Sequence, residues 1–339
     1  MHLPLLGFVL VLIAAIAGGA LALPLKKRRK FEIENIYVPS TLVMMLILPF
    51  LMAWFVVPGW HEAVRAAGAR TVWAGVGYGC GWGAGAILFA YGVTMAGMSV
   101  GYATIMGTST AVGSILPFLV KSPADLCTAG GLVILLGIAG CVIGVAVCGR
   151  AGSLRERQAG VMGERRGFAG ALLVCIASGV LSACANLGFA FTSRAGDEAL
   201  KMGASPVFST LASWMPVFWG AAALLLLWFG GLQIKRGTWR NNFGSESGFD
   251  WWNGAMMGAI WFVATIPYGM GAYYLGRLGT SVGWAIYLAS TLIVANVIGF
   301  LTREWRGASV RTIRTLCAGL AILIAMIVVL AIGSSMTGA

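Results

Sequence analysis

Two stretches of this chain combine flat aromatic rings with hydroxyls at helical spacing, a side-chain set that can grip a neutral polyol. The first carries Tyr102, Thr104, Thr108, Ser109, Thr110 and Ser114, and the second Trp284, Tyr287, Ser290, Thr291 and Asn296. Tyr102 and Ser109 stand seven apart and share a helix face, as do Trp284, Tyr287 and Thr291. A ring face packs on sugar C–H groups while hydroxyls give and accept hydrogen bonds. Tyr91 and Trp261 join from neighbouring runs, so the candidate binding residues are Tyr91, Tyr102, Thr108, Ser109, Trp261, Trp284, Tyr287 and Thr291. Each also has a plain structural reading, because helical Ser and Thr bond back to their own carbonyls and rings pack. Asn186 and Asn296 are the amides well inside apolar runs. A buried amide must find partners, either a ligand or a neighbouring helix.

Acid–base and metal chemistry are poorly supplied. The eleven acids (Glu32, Glu34, Glu62, Asp125, Glu156, Glu164, Asp197, Glu198, Glu246, Asp250, Glu304) fall in loops or at helix ends. Asp125, Asp250 and Glu304 are the ones a helix end could partly shield. An ionisable group at mid-membrane would mark a functional site by default, and the pattern offers none. His2 and His61 lie outside the apolar runs, and the seven cysteines form no CxxC pair. No catalytic residue, metal site or cofactor is expected, and the chain does not read as an enzyme.

The elements that must position the aromatic faces are membrane helices. Of 339 residues, 59% are hydrophobic and 10% charged, against roughly 25% charged in a soluble domain. Apolar runs at 3–25, 37–58, 72–95, 99–120, 126–148, 168–192, 205–231, 251–275, 280–301 and 311–333 are each long enough to cross a ~30 Å hydrocarbon core. The first run is read as a membrane helix rather than a leader, because its basic cluster Lys26–Lys30 follows it instead of preceding it. The net charge of +12 comes from short clusters between runs, the pattern of cytoplasmic loops and not of a nucleic-acid face. With Lys26–Lys30 inside, seventeen lysines and arginines lie on the cytoplasmic side and six on the other. That orientation predicts a multi-pass protein of the bacterial-type inner (plasma) membrane with both termini on the periplasmic or outer side.

The expected fold class is therefore all-α integral membrane, with ten transmembrane helices as two inverted five-helix repeats. Gly97-Met98-Ser99-Val100-Gly101-Tyr102-Ala103 matches Gly279-Thr280-Ser281-Val282-Gly283-Trp284-Ala285 at an offset of 182, and Tyr91 aligns with Tyr273. Under this offset Tyr102 pairs with Trp284 and Ser109 with Thr291. The expected division is a first repeat over 1–148, a cytoplasmic central loop over 149–167 and a second repeat over 168–339. Inverted halves with a site where they meet near mid-membrane are a recurrent plan of secondary transporters.

Several segments also resemble one family. Pro24-Leu25-Lys26-Lys27-Arg28-Arg29-Lys30-Phe31-Glu32-Ile33-Glu34 resembles the end of the first helix and first cytoplasmic loop of the L-rhamnose–proton symporters of the drug/metabolite transporter superfamily. Trp82-Gly83-Ala84-Gly85, continuing to Gly97-Met98-Ser99-Val100-Gly101, is similar to that family's third-to-fourth helix region. Ala151-Gly152-Ser153-Leu154-Arg155-Glu156-Arg157 is similar to its central loop, and Arg303-Glu304-Trp305 to the end of its ninth helix. The resemblance implies ten helices and alternating-access uptake of a neutral deoxy-sugar such as L-rhamnose with a proton, in a lipid bilayer. The chain departs from the family's pattern at Ala86 and Leu88, where amides are expected. It departs again at Gly283, Ala285 and Tyr287, near an expected acid and histidine. Two alternatives stay open: a uniporter or exporter of another small metabolite without proton coupling, and a non-transporting membrane scaffold or sensor.

Overall fold

In lipid every backbone polar group must be satisfied within its own segment, which leaves the helix as the form for these runs. The computed structural model of the chain describes residues 4–21, 23–160 and 168–337, and it is all-helical among them, with no strand. Among the described residues, nine helices are long and apolar enough to cross a membrane. They are α2 (Ile33–Val56), α3 (Ala69–Ala96), α4 (Met98–Lys121), α5 (Ala129–Gln158), α6 (Ala169–Lys201), α7 (Pro206–Arg236), α8 (Ser247–Tyr274), α9 (Gly276–Leu301) and α10 (Val310–Met336). A further apolar helix, α1 (Pro4–Ala20), is shorter at 17 residues.

Element ends depart from the hydropathy runs for local reasons. α2 begins ahead of its run because Glu32 and Asn35 form a reciprocal capping box, which satisfies orphan N–H groups of the first turn. α5 continues ten residues past Cys148 into the stretch expected to be central loop. Its sequence there, Gly149 to Gln158, is polar but rich in good helix formers. The rest of that expected loop, residues 161–167, lies outside the described residues. α6 outruns its apolar stretch through an amphipathic segment, Ser193–Lys201, with breaks at Ala183 and Thr192. At the second break the Thr192 hydroxyl meets the carbonyls of Gly188 and Ser213, both at 2.7 Å.

α1 packs on α8 and α9, and α6 packs on α3 and α4. α3 lies along α7, α2 lies on α7 and α8, α5 pairs with α10, and α4 crosses α9. Small residues bring backbones together without a hydrophobic driving force between helices. A Cβ on Gly79 would stand 2.1 Å from the Val217 carbonyl oxygen, so the α3–α7 contact needs glycine there. The outer surface is apolar: Trp54, Trp73 and Leu227 are more than two-thirds exposed, as lipid-facing side chains must be.

The basic ends of the helices are tied by buried acids. The Asp250 carboxylate, fully buried, accepts the backbone N–H groups of Arg29, Lys30 and Phe31 at 2.7–2.9 Å. It thereby pins the α1–α2 loop to the first turn of α8. Glu34 accepts from the Thr238 hydroxyl at 3.1 Å and the Arg236 guanidinium at 3.4 Å. Glu156, also buried, accepts the N–H and hydroxyl of Ser99 and so holds the start of α4 to the end of α5. These acids sit at helix ends, and Glu156 takes up an N–H that the first turn of α4 leaves over.

Candidate functional site

The crossing of α4 and α9 carries the polar atoms that the bundle interior must satisfy. Its chemistry starts with Pro117, which lies inside α4 and has no N–H. The carbonyl four residues earlier, that of Gly113, therefore loses its helical donor. Asn186 of α6 fills the vacancy: its Nδ2 donates to the Gly113 carbonyl at 2.8 Å and, with its other hydrogen, to the Thr280 carbonyl of α9 at 2.7 Å. The Asn186 Oδ1 accepts the Tyr268 hydroxyl of α8. One fully buried amide thus joins four helices with both donors and its acceptor engaged.

Directly beside it the Trp284 indole N–H donates to the Ser109 carbonyl at 3.0 Å. This contact is possible because residue 113 is glycine: a Cβ there would lie 2.4 Å from the Trp284 Nε1. Tyr268 packs edge-on against Trp284 with ring centres 5.3 Å apart, and its ring is tilted against that of Tyr287 at 5.2 Å. Beyond this junction, at the chain's less basic end, the Arg277 guanidinium of the first turn of α9 reaches the Asp125 carboxylate of the α4–α5 loop at 2.7 Å.

Toward the basic end the same seam opens. A cavity of about 160 Å³ lies between α4, α5 and α9, lined among others by Ser99, Tyr102, Arg155, Asn296 and Trp305. Its floor ring, Tyr102, stands edge-on to Phe89 at 6.0 Å. Asn296 donates back to the Leu292 carbonyl at 2.9 Å, which leaves its amide oxygen as a function to offer the cavity. Arg155 lies over the Trp305 ring at 5.0 Å and donates to the Glu304 carbonyl.

The eight residues singled out from sequence do not all gather here. Tyr102, Ser109, Trp284 and Tyr287 lie along the seam. Thr291 and Tyr287 direct their hydroxyls to one point over Gly18 of α1. Trp261 belongs to another aromatic group, edge-on to Trp82 at 5.5 Å, which leads to Trp214 and Phe218. Thr108 turns away from α9 toward Gly179 of α6. Tyr91 is on the outside, 41% exposed, edge-on to Trp228. Asn186 answers the open question of its partners with neighbouring helices. Tyr268 was missed, since nothing in its run separates it from other tyrosines; the readable signal was Pro117, whose missing N–H announces an orphan carbonyl at Gly113.

An all-helical, lipid-facing bundle whose polar seam is shut at one end and hollow at the other defines a multi-pass membrane transport protein. Residues 3–337 match the family model of the L-rhamnose-proton symport protein (RhaT), and the chain belongs to that family. It is similar to the L-rhamnose-proton symporter of Cronobacter sakazakii, 27% identical over 332 residues and 94% of each chain. The symporter of Klebsiella pneumoniae subsp. pneumoniae is 26% identical over 333 residues, 95% of this chain and 96% of that one. That of Shigella dysenteriae serotype 1 is 25% identical over 336 residues, with the same coverage. Membership makes the chain a multi-pass inner-membrane transporter and not an enzyme.

Proposed function

We propose that the chain carries L-rhamnose, or a similar neutral deoxy-sugar, in symport with a proton by alternating access between two five-helix halves. The observation that carries this reading is the asymmetry of the α4–α9 seam. A hydrogen-bonded junction at Asn186 closes one end, and a cavity bearing Tyr102 and Asn296 opens the other. A volume of about 160 Å³ corresponds to roughly five waters of liquid, the size class of one sugar ring. The ring and amide are neutral, as a neutral sugar requires. The relatives' names supply the proton and the particular sugar.

In this reading α1 is a tenth crossing, and the halves are 1–148 and 168–339 joined by the central stretch 149–167. The pairing of helices supports it. α1 with α8 and α9 corresponds to α6 with α3 and α4, and α2 with α8 corresponds to α7 with α3. α4 with α9 and α5 with α10 each map onto themselves. The loop charges support termini outside and the hollow end facing the cytoplasm. Tyr102, Ser109, Trp284 and Tyr287 are then the residues nearest the path, with Tyr102 the one that would stack on the sugar. Tyr91, Thr108, Trp261 and Thr291 would act through packing.

The test is uptake of labelled L-rhamnose by cells lacking other routes for it. Saturable uptake abolished by a protonophore is expected. Uptake indifferent to collapse of the pH gradient would instead select a uniporter, and no uptake of rhamnose or of any sugar in a broad panel would overturn the sugar reading.

A further inference from the structure

A second and larger hollow lies on the outside of the bundle. It measures about 750 Å³ and runs between α4, α5 and α6, with the start of α10 at its mouth. Its walls are two helix stripes. Val100, Ala103, Thr104, Gly107 and Thr108 form the α4 side, and residues from Val142 to Arg157 form the α5 side. Along α5 the lining runs from Val142 and Ala146 through Gly149, Arg150, Ser153 and Leu154 to Arg157, with the charged residues confined to the later half. Fifteen residues of helix cover roughly 22 Å, so the groove passes from apolar to strongly basic over the depth of one membrane leaflet. Ile176 of α6, 44% exposed, borders the groove. The hydroxyl of Thr104 lies across from the middle of the gradient, since Ala103 packs against Gly149. Arg311 of α10 joins Arg150 and Arg157 at the basic end.

We propose that this groove is a binding site for an anionic phospholipid. Arg150, Arg157 and Arg311 hold the phosphate, Thr104 faces the glycerol-ester zone, and an acyl chain lies along Val142 and Ile176. The polarity of the groove runs in the same order as that of a lipid, head to tail. A free anion would use only the basic end and leave the apolar floor uncovered. A zwitterionic lipid carries a choline or ethanolamine cation that three guanidinium groups repel. Basic pockets between helices on the cytoplasmic side select anionic heads for this reason. The groove lies on the other side of the Ala103–Gly149 contact from the seam cavity and shares those two residues with it as a wall, and lipid binding is read with no sugar present.

Native mass spectrometry and thermal unfolding of the full chain in detergent test this, with phosphatidylglycerol, phosphatidylcholine and inorganic phosphate as the probes. Phosphatidylglycerol is expected to give a retained one-lipid adduct and to raise the unfolding midpoint; the other two probes are expected to do neither. The triple variant R150Q/R157Q/R311Q should bind phosphatidylglycerol on the order of a hundredfold more weakly, the product of roughly fivefold per basic side chain. A control of equal charge, K235Q/R240Q/R306Q, should bind as the parent does. A146W fills the groove without touching its charge and should lose the adduct too, which separates the site from general attraction and from a folding defect in the triple variant. Equal binding of phosphatidylcholine, equal stabilisation by inorganic phosphate, equal weakening by the control triple, or an unchanged adduct in A146W would each overturn the proposal.

Discussion

The two ends of the α4–α9 seam use the same kinds of residue to opposite effect. At the Asn186 end the amide, the indole and the phenol are each paired: an amide fills the vacancy left by a proline, an indole rests on a glycine, and a phenol closes the amide. At the Tyr102 end an amide turns back on its own helix and a ring borders empty space. A paired polar junction in a dry interior is costly to open one bond at a time, whereas an unfilled amide and ring cost little to leave waiting for a ligand. In the function proposed above, the first region is a closure and the second a place to receive something. It also explains why aromatic and hydroxyl content alone cannot tell a binding face from a lock.

The largest effect should come from breaking the closure. Asn186→Leu orphans the Gly113 carbonyl and the Tyr268 hydroxyl together and should destabilise the protein by roughly 2 kcal/mol, with uptake below a tenth of the parent's. Thermal unfolding and transport assays measure both. The causal role given to Pro117 has its own check. Pro117→Ala restores an N–H four residues after Gly113, so Asn186→Leu in that background should cost about 1 kcal/mol less than in the parent. Strict additivity of the two substitutions would remove the link between the proline and the amide.

Next in size is Gly113→Ala. The new methyl would lie 2.4 Å from the Trp284 nitrogen and must push the indole off the Ser109 carbonyl, an overpacking cost of about 1–2 kcal/mol. Tryptophan fluorescence and the unfolding midpoint should shift together; an unchanged midpoint would mean that the indole has room to spare. At the open end the signature should be different in kind. Tyr102→Leu removes a ring from the cavity wall, so stability should hold within about 0.5 kcal/mol while the KM for sugar rises roughly tenfold. Tyr102→Phe should raise it only a few-fold, the worth of one hydrogen bond. If Tyr102→Leu unfolds the protein instead, the contrast between the two ends collapses.

Much of this architecture was legible before any coordinates, because apolar length is a bulk property. Among the described residues, nine of the ten expected runs fold as helices long and apolar enough to span, since hydrocarbon leaves their backbones no other partner. What hydropathy could not supply was where helices end in water. α5 runs on through Arg150, Arg155 and Arg157 because helix propensity, unlike hydropathy, does not fall at a charged residue. At the seam, Trp284 and Ser109 were both noticed, but their meeting depends on a glycine in one helix facing an indole in another, a relation between elements that no single run contains. Tyr91 shows the opposite failure. Its alignment with Tyr273 is a relation between positions in two runs, yet it stands 41% exposed on the outer face. Face-sharing by spacing says which residues stand together on one helix and nothing about which way that helix turns.

The smallest effect belongs to the ion pair outside the closure. Arg277, in the first turn of α9, and Asp125, in the α4–α5 loop, meet at 2.7 Å, yet the arginine side chain is 49% exposed. Water and salt screen such a pair, so its worth is about 0.2–1 kcal/mol, well below that of the Asn186 junction behind it. Asp125→Asn should therefore leave the unfolding midpoint almost unchanged and alter uptake by less than about threefold. In the alternating-access reading the pair holds only the closed arrangement of that end, so the change should vanish in high salt, and the swap Asp125→Arg with Arg277→Asp should restore parental rates. Uptake measured for these variants at low and high ionic strength decides the point. If Asp125→Asn proves as damaging as Asn186→Leu, the lock lies at the water boundary and the buried amide is only its packing.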